Sequence, residues 1–194
     1  MTIKTKSETM FEEFCNLNKL RWQKIPERNQ PTPDYKVTLN TQTIIFEVKQ
    51  IDKDENFTET AGTRTVGNHV RAKINEARNQ IKAASREQFP AILLIYNNLD
   101  PMQIFGTESH DFITAMYGEI TIELSSKDHG IIDSYHGRNQ SLRENKNTSF
   151  SAIGWLHQTN EGPAVRIYEN VFAEYKLNYA SPPKCVEAIR VELE

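Results

Sequence analysis

Residues 33–49 read Pro33-Asp34-Tyr35-Lys36-Val37-Thr38-Leu39-Asn40-Thr41-Gln42-Thr43-Ile44-Ile45-Phe46-Glu47-Val48-Lys49, and their periodicity decides the fold. From Tyr35 to Leu39 apolar Tyr35, Val37 and Leu39 alternate with polar Lys36 and Thr38, the period of a half-buried strand. Thr43 to Gln50 reads as a second strand, and the short polar turn Asn40-Thr41-Gln42-Thr43 makes the two antiparallel hairpin neighbours. Side chains alternate across a strand, so Glu47 and Lys49 share one face about 7 Å apart while Phe46 and Val48 point the other way. Asp34 opens the facing strand. Two carboxylates and an ammonium are thereby expected at one place. Two hard carboxylates and a main-chain carbonyl suit Mg²⁺, which takes oxygen ligands and keeps waters that a substrate phosphate displaces. A lysine beside such an ion can hold an attacking water and offset charge growing on phosphorus.

Outward from this hairpin the chain is legible in both directions. Upstream, Ser7 to Asn18 reads as a helix with Met10, Phe11, Phe14 and Leu17 inward and Ser7 as N-cap. Arg21 to Ile25 follows as a first strand packed through Trp22. Downstream, Asp52 to Gly67 has no sustained period and reads as a mobile loop. Val70, Ile74, Ala77, Ile81 and Ala84 then form a continuous helical stripe, with Asn68 available to cap it. Pro90 ends that helix, and the nearly all-apolar run Ala91 to Asn97 reads as a strand covered on both faces. A strand, a long helix and a buried strand make a crossover unit. Beyond it the sequence predicts a short helix, Asp111 to Tyr117, and strands at Glu119 to Leu124, Ala152 to Gln158 and Ala164 to Glu169. Ser125 to Ser149 is polar and aperiodic, either a substrate-contacting loop or a disordered surface loop.

Pro33-Asp34 followed by Glu47-Val48-Lys49 resembles the motif of the PD-(D/E)XK nuclease superfamily, and the chain looks like a bacterial-type member. The likeness covers roughly residues 8 to 97. It implies an α/β protein with a restriction-endonuclease-like core of helix, three-stranded meander, helix and strand, and additional C-terminal strands on a mixed sheet. On this reading residues 1–194 are a single nuclease-like domain, with the core at about 7–97 and a C-terminal elaboration at about 98–194. The resemblance implies a metal-dependent nuclease that hydrolyses phosphodiester bonds in DNA. Asp34, Glu47 and the Val48 carbonyl would hold Mg²⁺, with Mn²⁺ as a substitute, and Lys49 would position the water. Members of the RecB-like subgroup add a Gln from the second helix, for which Gln80 stands, although Ala84 replaces the aromatic residue usual four positions on. Many members also add a Glu from the first helix. Glu8, Glu12 and Glu13 are offered; the pattern Phe11-Glu12-Glu13-Phe14 favours Glu12 first and Glu13 second, whereas wheel geometry favours Glu8 and Glu13.

Composition sets the bounds. The 194 residues suffice for a proper core, and 38% hydrophobic with 25% charged residues describes an ordinary globular chain. The first ten residues are polar and the longest apolar run is Ala91 to Tyr96, so the reading is a cytoplasmic protein that contacts no membrane. A net charge of −3 speaks against a passive nucleic-acid coat protein. Yet residues 62–90 carry Arg64, Arg71, Lys73, Arg78, Lys82 and Arg86 against Glu76 and Glu87. Arg71, Arg78 and Lys82 line one flank of the second helix and Lys73 the other, as phosphate tracking requires; the plain alternative is a solvated helix face. Cys15 and Cys185 have no metal-binding spacing, and the five histidines form no ligand cluster in sequence. Two function classes stay open: an active nuclease, for which a homodimer is admissible, and an inactive nucleic-acid- or protein-binding module of the same fold. The intact Asp34, Glu47 and Lys49 favour the first.

Overall fold

A computed structural model of the chain describes residues 4–27, 29–58, 61–178 and 184–193. Its first half runs α1 (Lys6–Leu17), β1 (Arg21–Lys24), β2 (Tyr35–Leu39), β3 (Gln42–Ile51), α2 (Asn68–Ser85) and β4 (Ala91–Asn97). The second half runs α3 (Ser109–Tyr117), β5 (Ile120–Leu124), β6 (Ile131–His136), β7 (Ala152–Thr159), β8 (Gly162–Glu169) and β9 (Val186–Ile189). The protein is α/β: the described residues form three helices and a mixed sheet of seven strands ordered β1-β2-β3-β4-β7-β8-β9. β1, β2 and β3 pair antiparallel, as the alternating sequence predicts, and the turn between β2 and β3 places Asn40 at φ 53. Asn is one of the few side chains that tolerate this left-handed backbone. β4 joins β3 in parallel through α2, and β7 lies parallel on its other side. All seven β4 residues are buried, as expected for a strand covered on both faces.

The period-two alternation of β2 and β3 sorts side chains into two cores. Tyr35, Val37, Leu39, Ile44, Phe46 and Val48 pack under α1 against Met10, Phe11, Phe14 and Cys15. Ile45 and Ile51 face the other way, under the α2 stripe of Val70, Ile74, Ala77, Ile81 and Ala84 and the α3 residues Phe112, Ala115 and Met116. Each large side chain taken wholly from water contributes about 1.5–3 kcal/mol. Cys15 belongs to the first core, and burial pushes its thiol up to about 12, so it is packing and not a nucleophile.

Several local expectations are corrected. The N-cap of α1 is Thr5, not Ser7: Thr5 Oγ1 accepts from the Glu8 N–H while Glu8 Oε2 accepts from the Thr5 N–H, a capping box. Leu17 is 56% exposed beside Gly162, because the last turn of α1 overhangs the β7–β8 turn. Gly67 at φ 77, not Asn68, precedes α2. The stretch 125–149 is not structureless: it contains β6, and Leu142 is fully buried. β9, parallel to β8, is an element the sequence pattern did not announce. The 52–67 loop carries a bridge between Phe57 and Gly62; residues 59 and 60 lie outside the described residues.

Candidate active site

The meander places the motif residues at one end of the sheet. Pairing of Tyr35 with Phe46 puts Asp34 at the end of β2, where its main chain still belongs to the ladder: its N–H donates to the Phe46 carbonyl and its carbonyl accepts from the Ile25 N–H. The side chain continues that ladder, Asp34 Oδ2 accepting from the Val48 N–H at 2.8 Å. This bond fixes the carboxylate against the middle of the Glu47-Val48-Lys49 run. Glu47 and Lys49 share the β3 face that carries Ile45 and Ile51, and Lys49 Nζ lies 2.7 Å from Glu47 Oε1.

The electrostatics of the pair are unusual for a surface strand. Glu47 is 1% exposed, and its second oxygen, Oε2, is buried with no hydrogen-bond partner among the described residues. Burial raises its pKa to about 7, the Asp34 charge adds to the rise, and Lys49 opposes it. Burial likewise raises Asp34, against the Val48 N–H and the Lys49 charge. For Lys49 burial would lower the pKa, but the Glu47 carboxylate and then Asp34 outweigh it and the net shift is upward. The Asp34 charge thus acts on a carboxylate that is out of water and paired with one ammonium, and whose Oε2 has no hydrogen-bond partner among the described residues. Such an oxygen is costly unless a further cation meets it. Oxygen-only donors with an orphaned anionic atom are the donor set a hard divalent cation takes, so these residues fit Mg²⁺.

A cleft of about 350 Å³ opens beside them, lined by Asp34, Val48, Lys49, Gln50 and Asp52 from the sheet end and by Lys4, Thr5, Ser7 and Glu8 from α1 and its approach. Lys24 of β1 and Glu27 complete the wall. The first-helix carboxylate at this cleft is Glu8, in place of the Glu12 and Glu13 that the Phe-Glu-Glu-Phe pattern favours. The amino end of α1, not its middle, lies over the end of β3, where the Ser7 N–H donates to Gln50 Oε1. Glu8 Oε1 accepts from Lys24 Nζ at 2.5 Å, and this bond and those from Thr5 hold its carboxyl low against the effect of burial. Glu12 is half-buried elsewhere, accepting from the Tyr35 hydroxyl at 2.9 Å and pairing with Lys4; Glu13 is exposed. Lys24 is the residue that sequence reasoning missed. Only the register Lys24 to Tyr35 brings it beside Asp34, and no local pattern encodes that register.

The second helix divides its charges between two flanks. Lys73, Glu76 and Gln80 follow one another at helical spacing, and the charge of Glu76 reaches Lys49, so this flank borders the site. Lys73 is paired with Glu76 at 2.9 Å, and Gln80 is half-exposed outside the lining of the cleft. On the other flank Arg71 and Arg78 lie toward residues 139–146, and Lys82 is exposed. Arg71 donates from Nε to the Asn139 carbonyl and from Nη1 to the Val66 carbonyl and to Asn68 Oδ1. Arg78 stays exposed, and its charge with that of Arg143 adds to desolvation in lowering the Lys146 pKa, a cluster of like charge.

No family model, no curated protein and no solved structure matches this chain. The reading of the site rests on its own residues. Among the described residues no helix is long and apolar enough to cross a membrane. A second group of potential ligands, Glu108, His110 and Asp111, lies within 4.8 Å, but the Arg64 guanidinium already fills its centre by pairing with Asp111 and with Glu108.

Proposed function

We propose that the protein is a Mg²⁺-dependent nuclease of the PD-(D/E)XK type, hydrolysing phosphodiester bonds in DNA. The succession α1, three antiparallel strands, α2 and a parallel strand is the order of the restriction-endonuclease-like core, which supports this reading. The observation that carries it is the buried Glu47 carboxylate, with one oxygen on Lys49 and the other without a partner beside Asp34. A strand Glu/Lys pair whose role was only solubility would sit in water at both ends.

Asp34, Glu47 and the Val48 carbonyl are the groups that would hold Mg²⁺, which when bound supplies positive charge to the scissile phosphate and acidifies water. The residues of the chain then have separate tasks. Asp34 is preset by the Val48 N–H and needs no reorientation. Glu47 is preset by Lys49 in the same way. Lys49 is a quarter exposed at its side chain, so its ammonium reaches the cleft while anchored on Glu47. It can donate to a water in line with the phosphorus, and it offsets the extra negative charge of the transition state. Lys24 adds a second ammonium on the opposite wall, held by Glu8. The test is a cleavage assay of the purified chain on linear, circular and branched DNA and on RNA, with Mg²⁺, Mn²⁺ or chelator. Cleavage that requires the metal and is lost in Glu47→Gln supports the proposal; no cleavage of any substrate sinks it and leaves the binding module.

A further inference from the structure

The strands β5 and β6 form a two-stranded sheet of their own, and neither packs extensively on a helix or on the large sheet. An isolated two-stranded hairpin is marginally stable in water. This one is also amphipathic. The register pairs Ile120 with His136, Ile122 with Ser134 and Leu124 with Ile131, and it slips after Glu123, so that Ile131 and Ile132 both lie opposite Leu124. Directly paired residues share a face. One face therefore carries Ile120, Ile122, Leu124, Ile131 and Ile132, each between 54% and 70% exposed, with Ser134 and His136 beside them. The other carries Thr121, Glu123, Asp133 and Tyr135, with two like charges paired across the strands.

We propose that the apolar face of this arm is where two copies of the chain associate. The five side chains expose on the order of 600 Å², at the upper limit of apolar patches on monomers, which reach about 600 Å². A standard interface buries about 800 Å² per partner, so the stripe would supply most of it, with Ser134, His136 and the rim of the arm completing it. Five aliphatic side chains along one face can meet their own copy under a two-fold axis, as an isologous contact requires. Charge argues against the other occupant a ribbon could have. A two-stranded ribbon fits a DNA major groove, but between residues 120 and 136 Glu123, Asp128 and Asp133 outnumber Lys127, and phosphate repels that balance. The base of the arm is held in place: His136 Nδ1 lies 2.9 Å from the Gly118 carbonyl, Asn139 donates to Glu119, and Arg71 Nε donates to the Asn139 carbonyl. The arm is thus presented without reorganisation.

The proposal stands apart from the nuclease reading, and its test is the oligomeric state of the whole chain by sedimentation velocity over roughly 1 to 100 µM. The wild-type chain should be dimeric, and Ile122→Lys with Ile131→Lys should raise the dissociation constant by about a hundredfold or more. The milder pair Ile122→Thr and Ile131→Thr keeps strand propensity and should weaken the dimer in the same direction. Amides of residues 120–136 should gain hydrogen-exchange protection with rising wild-type concentration. A wild-type monomer throughout that range overturns the proposal, and so does a dimer that survives both pairs. A monomer that loses DNA binding on the same substitutions makes the arm a nucleic-acid reader and also overturns it.

Discussion

Glu47 is the residue on which the site turns, because it stores unfavourable charge that a bound cation would relieve. Its folded pKa, about 7, lies above the ordinary 4.5, so between those values the folded state holds a proton that the unfolded chain has released. Stability therefore falls as pH rises from about 4.5 to about 7 and stays reduced above that, by on the order of 3 kcal/mol. Chemical denaturation in chelator should show this decline, and Glu47→Gln should remove it and be the more stable protein at pH 8. A Glu47→Gln profile parallel to the wild type would mean that the carboxylate is not held as described. Lys49→Ala tests the chemistry. It should lower turnover by on the order of a hundredfold or more with substrate affinity nearly unchanged, the pattern of a contact made mainly in the transition state. Single-turnover rates together with equilibrium binding distinguish this from a loss of affinity. The alternation around Glu47 made its face and its Lys49 neighbour readable from sequence. Its burial was not readable, since that depends on how α2 packs over the strand.

At the scale of elements, the junction between α2 and α3 is held by one buried carboxylate. Asp111 is fully buried; its Oδ1 accepts from the Gly67 N–H and pairs with Arg64, and its Oδ2 accepts from the Glu108 N–H. It thus ties the residue that precedes α2 to α3 while completing the capping box of its own helix. Asp111→Ala would leave the Arg64 guanidinium, largely buried, without its main partner. The expected loss is about 3–5 kcal/mol, measurable by urea denaturation, and a loss below about 1 kcal/mol would show that the junction is dispensable. Helices of this chain are legible from their apolar stripes, but their caps only in part. The Thr5-x-x-Glu8 capping box is a local pattern that can be read once the helix start is set at Lys6, whereas the bond from Gly67 to Asp111 comes from a distant element and leaves none.

Across the whole molecule the positive charge of α2 is split. The flank beside the site is neutralised by Glu76, whereas Arg78 lies near Lys146 and Arg143, and Lys82 is exposed. A phosphate backbone passing over that surface would relieve the repulsion among those like charges. Charge reversal of Arg78, Lys82 and Lys146 together should weaken DNA binding and flatten its dependence on salt by up to about three units of slope, about 0.9 for each phosphate no longer neutralised. An unaltered slope in a folded triple variant would make this face ordinary solvated surface.

Periodicity alone determined the hairpin of β2 and β3, the α2 stripe and the doubly covered β4, because side-chain direction along a regular backbone is a local property. It also put Glu47 and Lys49 on one face and Asp34 at the neighbouring strand end. Only the tertiary structure decided that Glu8 and Lys24 wall the cleft, that Glu12 belongs to Tyr35, and that Arg71 is an anchor. Those outcomes depend on strand register and on which end of a helix overhangs the sheet. Both are set by packing between segments far apart in the chain, which no window of the sequence contains.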